Sequence, residues 1–190
     1  MRVKEKSLKI LKRLDSKLEK LFKEMDEFPE EELSIQLNGK WSPLQVCEHL
    51  RFSEERSQSY VRYKLQKGNE LPETNGWQGV KTWLLKMSLS FDGIKLKAPK
   101  IEGLSPDNTI QYQVLKESWW IARKALGSLL EELEEGVYKR ALYKHPRTGL
   151  MNIGHMLIFF EAHFDRHHRQ IANRLHILKK LSKNPGNTSS

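Results

Sequence analysis

Apolar residues recur at intervals of three and four near the start of the chain: Leu8, Leu11, Leu14, Leu18, Leu21, Phe22 and Met25. That period puts them on one stripe of a helix over roughly residues 5–27. Phe28-Pro29 stops it, because proline disfavours helical geometry in the residue before it. A second helix opens at Ser42-Pro43-Leu44-Gln45, which combines a Ser cap, Pro at the first helical position and Gln three residues after the cap. It is expected to run to Gln66 with Val46, His49, Leu50, Ser53 and Tyr60 inward. Between residues 67 and 107 the period weakens. Stretches rich in Gly, Pro and Asn flank one modest helical segment, residues 80–89, in an excursion of the kind that more often serves function than none. A third long helix is expected from Asp107 or Asn108 through Trp119, Trp120, Ala122, Leu126, Leu129, Leu130 and Leu133, closed by Gly136. The loop VYKRALYKHPRTG follows, and a last helix spans residues 150–181. Four long amphipathic helices with no strand pattern and no internal repeat predict an all-α fold, a four-helix bundle with an extra short helix in the excursion.

Length agrees with one domain over residues 1–183 and a polar tail, NPGNTSS, at 184–190: 190 residues make one full core and are short for two. No apolar run approaches the roughly 20 residues that span a bilayer, and charges are scattered through MRVKEKSLKILKRL, so a soluble, unprocessed chain without a membrane partner is expected. The one cysteine, Cys47, excludes an intramolecular disulfide and fits a reducing compartment, the cytoplasm. The formal charge of +9 raises the question of a polyanion partner. Residues 1–24 hold nine Lys or Arg against four acids, but the signs alternate along an amphipathic pattern, as on a solvated helix face. Net charge alone speaks to nonspecific association, and no zinc-finger or reading-helix signature accompanies it, so no specific nucleic-acid partner is expected.

Chemistry concentrates in EAHFDRHHRQI. His163 and His167 stand four residues apart, one turn apart on one helix face, where both imidazoles can reach one metal ion. His155, Phe159 and Gln170 share that face, and His49 lies on the inward stripe of the second helix. Three neutral imidazoles from two helices would hold a divalent metal. Seven His in a chain this long produce some pair at spacing four about once in five sequences, so the spacing alone is weak. A buried His satisfied by a carbonyl is the plainer alternative for His49. His168 follows His167 and points about 100° away. It reads as surface, as do His176 and His145. Cys47 lies about 200° from His49 around its helix and reads as a small core residue. Glu48 and Glu161 each adjoin a proposed ligand and for that reason face away from it. Of the adjacent Trp119 and Trp120 at most one is fully inward, and Trp41 reads as a lid on the bundle end.

The segments WSPLQVCEHL and HPRTGLMNIGHMLIFFEAHFDRHHRQI resemble the two signature regions of the DinB/YfiT-like superfamily of bacterial four-helix bundles, unrelated to the DNA polymerase of similar name. In that pattern Trp-Ser, with His seven residues after the Ser, opens the second helix, and His-x-x-x-His-x-x-Gln occupies the last. Trp41, Ser42 and His49, then His163, His167 and Gln170, stand at those positions. The resemblance implies a metal held by His49, His163 and His167; Gln170, through a hydrogen bond that holds a ligand ring, and His155 are the candidate outer partners. It leaves open whether the metal is zinc, nickel, manganese or iron. It further implies thiol-dependent transferases or isomerases, in which a low-molecular-weight thiol, activated at the metal, attacks an electrophile, and the expectation for this chain is a metal-dependent thiol S-transferase or hydrolase acting on a small electrophile. Arg166 is the nearest candidate by sequence for an anionic thiol, against a plainer role in an ion pair. A homodimer follows by analogy only. Two other classes stand beside this reading: a metal binder without catalysis in a stress or storage role, and a nucleic-acid-associated protein whose His cluster is incidental.

Overall fold

The computed structural model describes residues 2–67, 71–90, 106, 108–146 and 148–183. Helix α1, Val3–Met25, buries Leu14, Leu18, Leu21 and Met25 completely, each side chain contributing about 1.5–3 kcal/mol of burial. One further turn, α2 (Glu30–Leu33), starts after Pro29, whose fixed φ suits a helix entrance. Helix α3, Pro43–Gln66, begins at the Ser42 cap, and α4, Gly76–Ser90, is longer than the segment expected at 80–89. Helices α5, Tyr112–Glu132, and α6, Ile153–Lys183, complete the long elements. Both α1 and α3 pack against α5 and α6, and α4 packs on α6. Among the described residues no helix is long and apolar enough to cross a membrane.

Several boundaries differ from the sequence pattern. Helix α5 starts at Tyr112, not at 107 or 108: Asn108 adopts φ 69°, outside helical geometry, and spends its side chain on other segments. Its Nδ2 donates to the Ser34 carbonyl at 2.9 Å and its Oδ1 accepts from Ser42 Oγ at 2.6 Å. The expected loop after α5 holds a 3-10 turn, Glu135–Lys139, and an antiparallel hairpin of β1 (Tyr143–His145) with β2 (Gly149–Met151). Leu150 and Met151 belong to β2, so α6 starts at Ile153. The hairpin reverses at Gly149, whose φ of 79° suits a residue without Cβ. The tail at 184–190 and, within the excursion, residues 68–70, 91–105 and 107 lie outside the described residues.

The inward stripe of α3 also departs from expectation. Its first two turns are buried all round, whereas its second half buries Glu54, Ser57, Gln58 and Val61, leaving Ser53 and Tyr60 half-buried. The carboxylate of Glu54 meets Arg123 of α5, Nε to Oε2 at 2.6 Å and Nη2 to Oε1 at 2.7 Å. Trp119 Nε1 donates to Oε2 at 3.1 Å, and Arg123 Nη1 reaches Asp15 of α1 at 3.0 Å. A bidentate pair with extra donors is the arrangement in which buried charge is tolerated, and it ties three helices in one register. Trp119 is fully buried and Trp120 only partly, and Cys47 is fully buried against Met25, its thiol pKa pushed up by burial.

Candidate metal centre

The N-terminus of α3 is pinned before any chemistry begins. Ser42 Oγ accepts from the Gln45 amide at 3.1 Å, and Gln45 Oε1 accepts from the Ser42 amide at 3.0 Å. The same Gln45 donates through Nε2 to the Pro106 carbonyl at 3.2 Å, which binds the cap to the chain entering α5. Two turns on, His49 is held 8% exposed, facing α6. On α6, His163 and His167 present their rings from successive turns. The His49 ring lies 5.3 Å from His163 and 5.0 Å from His167, and those two lie 4.6 Å apart, centroid to centroid.

One nitrogen of each ring falls within 4.8 Å of the other two, and no described Cys, Asp, Glu or further His joins the group. His163 Nε2 and His167 Nε2 are 3.1 Å apart. Two nitrogens bound to one ion at about 2.05 Å stand about 2.9 Å apart at a right angle and about 3.3 Å apart in a tetrahedron, so the pair is already spaced for shared coordination. The tautomer agrees. His167 Nδ1 lies 2.9 Å from Gln170 Oε1, and an amide oxygen only accepts, so Nδ1 carries the proton and Nε2 keeps its lone pair.

Burial, the approach of the other histidines and the positive charge of Arg166 hold His163 well below the ordinary imidazole range. His167 is pushed down to about 3, chiefly by burial, then by His49, with Arg166 and Arg174 adding to the shift and Gln170 opposing it. Both rings are therefore neutral at pH 7, the form that ligates. Both residues are half-buried, whereas His49 is buried. Trp41 covers His49 with ring centroids 5.2 Å apart, and Phe159 stacks on His163 at 5.2 Å and 16°. Arg174 fastens this cover, its Nε donating to the Trp41 carbonyl and its Nη1 to the Gln170 carbonyl at 2.8 Å.

The sequence model of the DinB superfamily matches residues 11–171, a span that includes all three histidines. The chain belongs to the DinB superfamily. No curated protein and no solved structure matches it.

Within this DinB-superfamily chain the structure brings His49, His163, His167 and Gln170 together, with Trp41 as their cover. His155 is elsewhere: it lies two turns before His163, about 12 Å along the axis, with Nε2 3.8 Å from where a Cβ on Gly79 of α4 would stand. His145, expected at the surface, is only 7% exposed, because the hairpin folds it under Phe159, centroids 4.5 Å apart. His168 is partly exposed and meets Glu24 at 2.7 Å, and His176 is exposed. Glu48 is buried, because the whole start of α3 is enclosed. Glu161 is committed to Arg13 at 2.9 Å and Lys17 at 3.5 Å, and chiefly the Arg13 hydrogen bond holds its pKa low. Sequence reasoning missed Arg174, although the step of four from Gln170 was there to be read.

Proposed function

We propose that this DinB-superfamily protein, a four-helix bundle by architecture, binds one divalent ion through His49, His163 and His167 and is a metal-dependent thiol S-transferase acting on a small electrophile. The observation that carries this reading is the convergence of three imidazole nitrogens, one ring buried and two half-buried, with no fourth described ligand. Three ligands with open positions suit a catalytic rather than a closed site, and imidazole suits zinc, nickel or iron. A bound ion would lower the pKa of a thiol at its open position.

The residues do the rest. Gln170 holds the His167 ring, while Trp41 and Phe159 wall the cluster with apolar surface and limit water. Arg166 and Arg174 raise the local positive potential and favour an anionic thiol. Thiol transfer is favoured over hydrolysis because Glu161, the carboxylate beside His163, is neutralised by two cations and is a poor base. A metal-binding role without catalysis is the alternative that the weak basicity of Glu161 also supports. Arg13 and Lys17 are spent on Glu161 and Asp165 of α6, which speaks against α1 as a polyanion surface.

Elemental analysis of protein purified without a His tag or chelator tests the reading, in parallel with His49→Ala, His163→Ala and His167→Ala. Near-stoichiometric metal, lost in each variant and accompanied by thiol-dependent consumption of an electrophile, is expected. Stoichiometric metal with no turnover across a panel of thiols would leave the binding role. No metal, even after zinc, nickel or manganese is added, would refute both.

A further inference from the structure

His145 is a fourth histidine beside the cluster, and its surroundings give it a different chemistry from the other three. The hairpin pairs His145 with Gly149, and the reversal between them aims the Thr148 amide at His145 Nδ1, 3.3 Å away. A backbone N–H only donates, so Nδ1 is the acceptor and the neutral ring carries its proton on Nε2. This is the reverse of His167, where Gln170 places the proton on Nδ1 and leaves Nε2 to ligate. With its Nδ1 side against the turn and only 7% of the residue exposed, His145 carries Nε2 on the ring edge opposite Nδ1, and the ring packs on Phe159. Phe159 in turn stacks on His163, so His145 and His163 share one ring neighbour. Yet His145 is not among the residues whose ligand atoms gather within 4.8 Å.

We propose that His145 is the proton-bearing histidine of this site: the hairpin bars its Nε2 from ligation and makes it a hydrogen-bond donor to the anion, a thiolate or carboxylate, that occupies the centre. The proposal rests on the metal-centre reading. It gives the hairpin a purpose in the chemistry, since the Thr148 amide selects the tautomer. It also gives the site a donor set of two kinds, lone pairs for the cation and an N–H for its anionic companion.

The tautomer is read in the metal-free protein by long-range nitrogen–proton NMR of the imidazoles. The expected pattern is Nε2–H for His145 and Nδ1–H for His167, and Nδ1–H at His145 would overturn the proposal. The anion role is read with cobalt-loaded protein, whose visible spectrum is titrated with 2-mercaptoethanol and separately with azide. His145→Phe keeps a ring and removes the donor. It should take up cobalt within twofold of wild type in chelator competition while binding 2-mercaptoethanol about tenfold more weakly, the usual effect of losing a hydrogen bond to a charged group. His145→Gln, whose amide places an N–H near the Nε2 position, should recover most of that affinity. A tenfold loss of cobalt affinity in His145→Phe would mean that His145 is a ligand, and unchanged binding of both anions would mean that it donates to neither. Either result overturns the proposal and leaves the three-His centre standing. Wild-type protein that takes up no cobalt would instead refute the centre itself, and with it the partner of this donor.

Discussion

Replacing Gln170 by Ala should weaken metal binding by tenfold or more without unfolding the protein. In the wild type Gln170 Oε1 accepts from His167 Nδ1 at 2.9 Å, which pins both the proton and the ring plane. Without that acceptor His167 is free to place its proton on Nε2, 3.1 Å from His163 Nε2, where it would have to be displaced before an ion could bind. A neutral hydrogen bond contributes about 1 kcal/mol, rising to about 1.5–3 kcal/mol when one partner is charged, and coordination polarises the imidazole towards the charged case. At about 1.4 kcal/mol per factor of ten, the loss falls between about 10-fold and 100-fold. Gln170 is only half-buried, and Arg174 bonds its backbone carbonyl rather than its side chain, so the fold should persist. Chelator competition with zinc measures the affinity, and circular dichroism confirms the helices. Gln170→Glu, with a stronger acceptor at nearly the same place, should bind at least as tightly as wild type. Affinity within twofold of wild type in Gln170→Ala would refute the argument that this side chain orients the ligand.

Because His163 and His167 titrate below the ordinary value of about 6.5, the unfolded chain binds more protons than the folded one as pH falls from about 6.5 towards 3, and metal-free protein should lose stability over that window. Urea midpoints at pH 7.5 and 5.0 should show it, and a His163→Ala/His167→Ala double variant with an equally steep decline would contradict it. Arg123→Ala strands the Glu54 carboxylate in the core and should cost about 3–5 kcal/mol in urea unfolding, whereas Arg123→Met with Glu54→Met should restore much of that. Ser42→Ala removes the cap of α3 and the bond to Asn108 and should cost about 1–2 kcal/mol. If His49 depends on that cap for its position, zinc affinity in the same variant should fall as well.

The long helices were legible where they bury one stripe, and a stripe with a period of 3.6 survives in the sequence whatever packs on it. The Ser42–Gln45 cap was legible because it is local, with all its bonds inside four residues. The three-histidine cluster was legible in part: the spacing of His163 and His167 is a helical fact, but their meeting with His49 needed the family pattern. What escaped was non-local or short. Strands of three residues are too brief to display alternation, so the hairpin was read as a loop and His145 was placed at the surface. Arg123 and Glu54 sit where the pattern expects apolar residues, because each is the other's solvent. Asn108 has the residue type of a helix cap but serves as a bracket between Ser34 and Ser42.

The packing of α6 also orders events in time. Helices α1, α3 and α4 each pack against it, yet it is translated after all of them, and His163 follows His49 by 114 positions. On the ribosome, the earlier helices wait with apolar stripes uncovered until α6 emerges, an interval in which chaperones find them. During that interval His49 has no companions with which to share an ion. An ion held by all three histidines would therefore be taken up only once α6 has emerged and packed on α3. An ion that then bridges α3 to α6 clasps segments far apart along the polypeptide, so it should slow unfolding more than it speeds assembly.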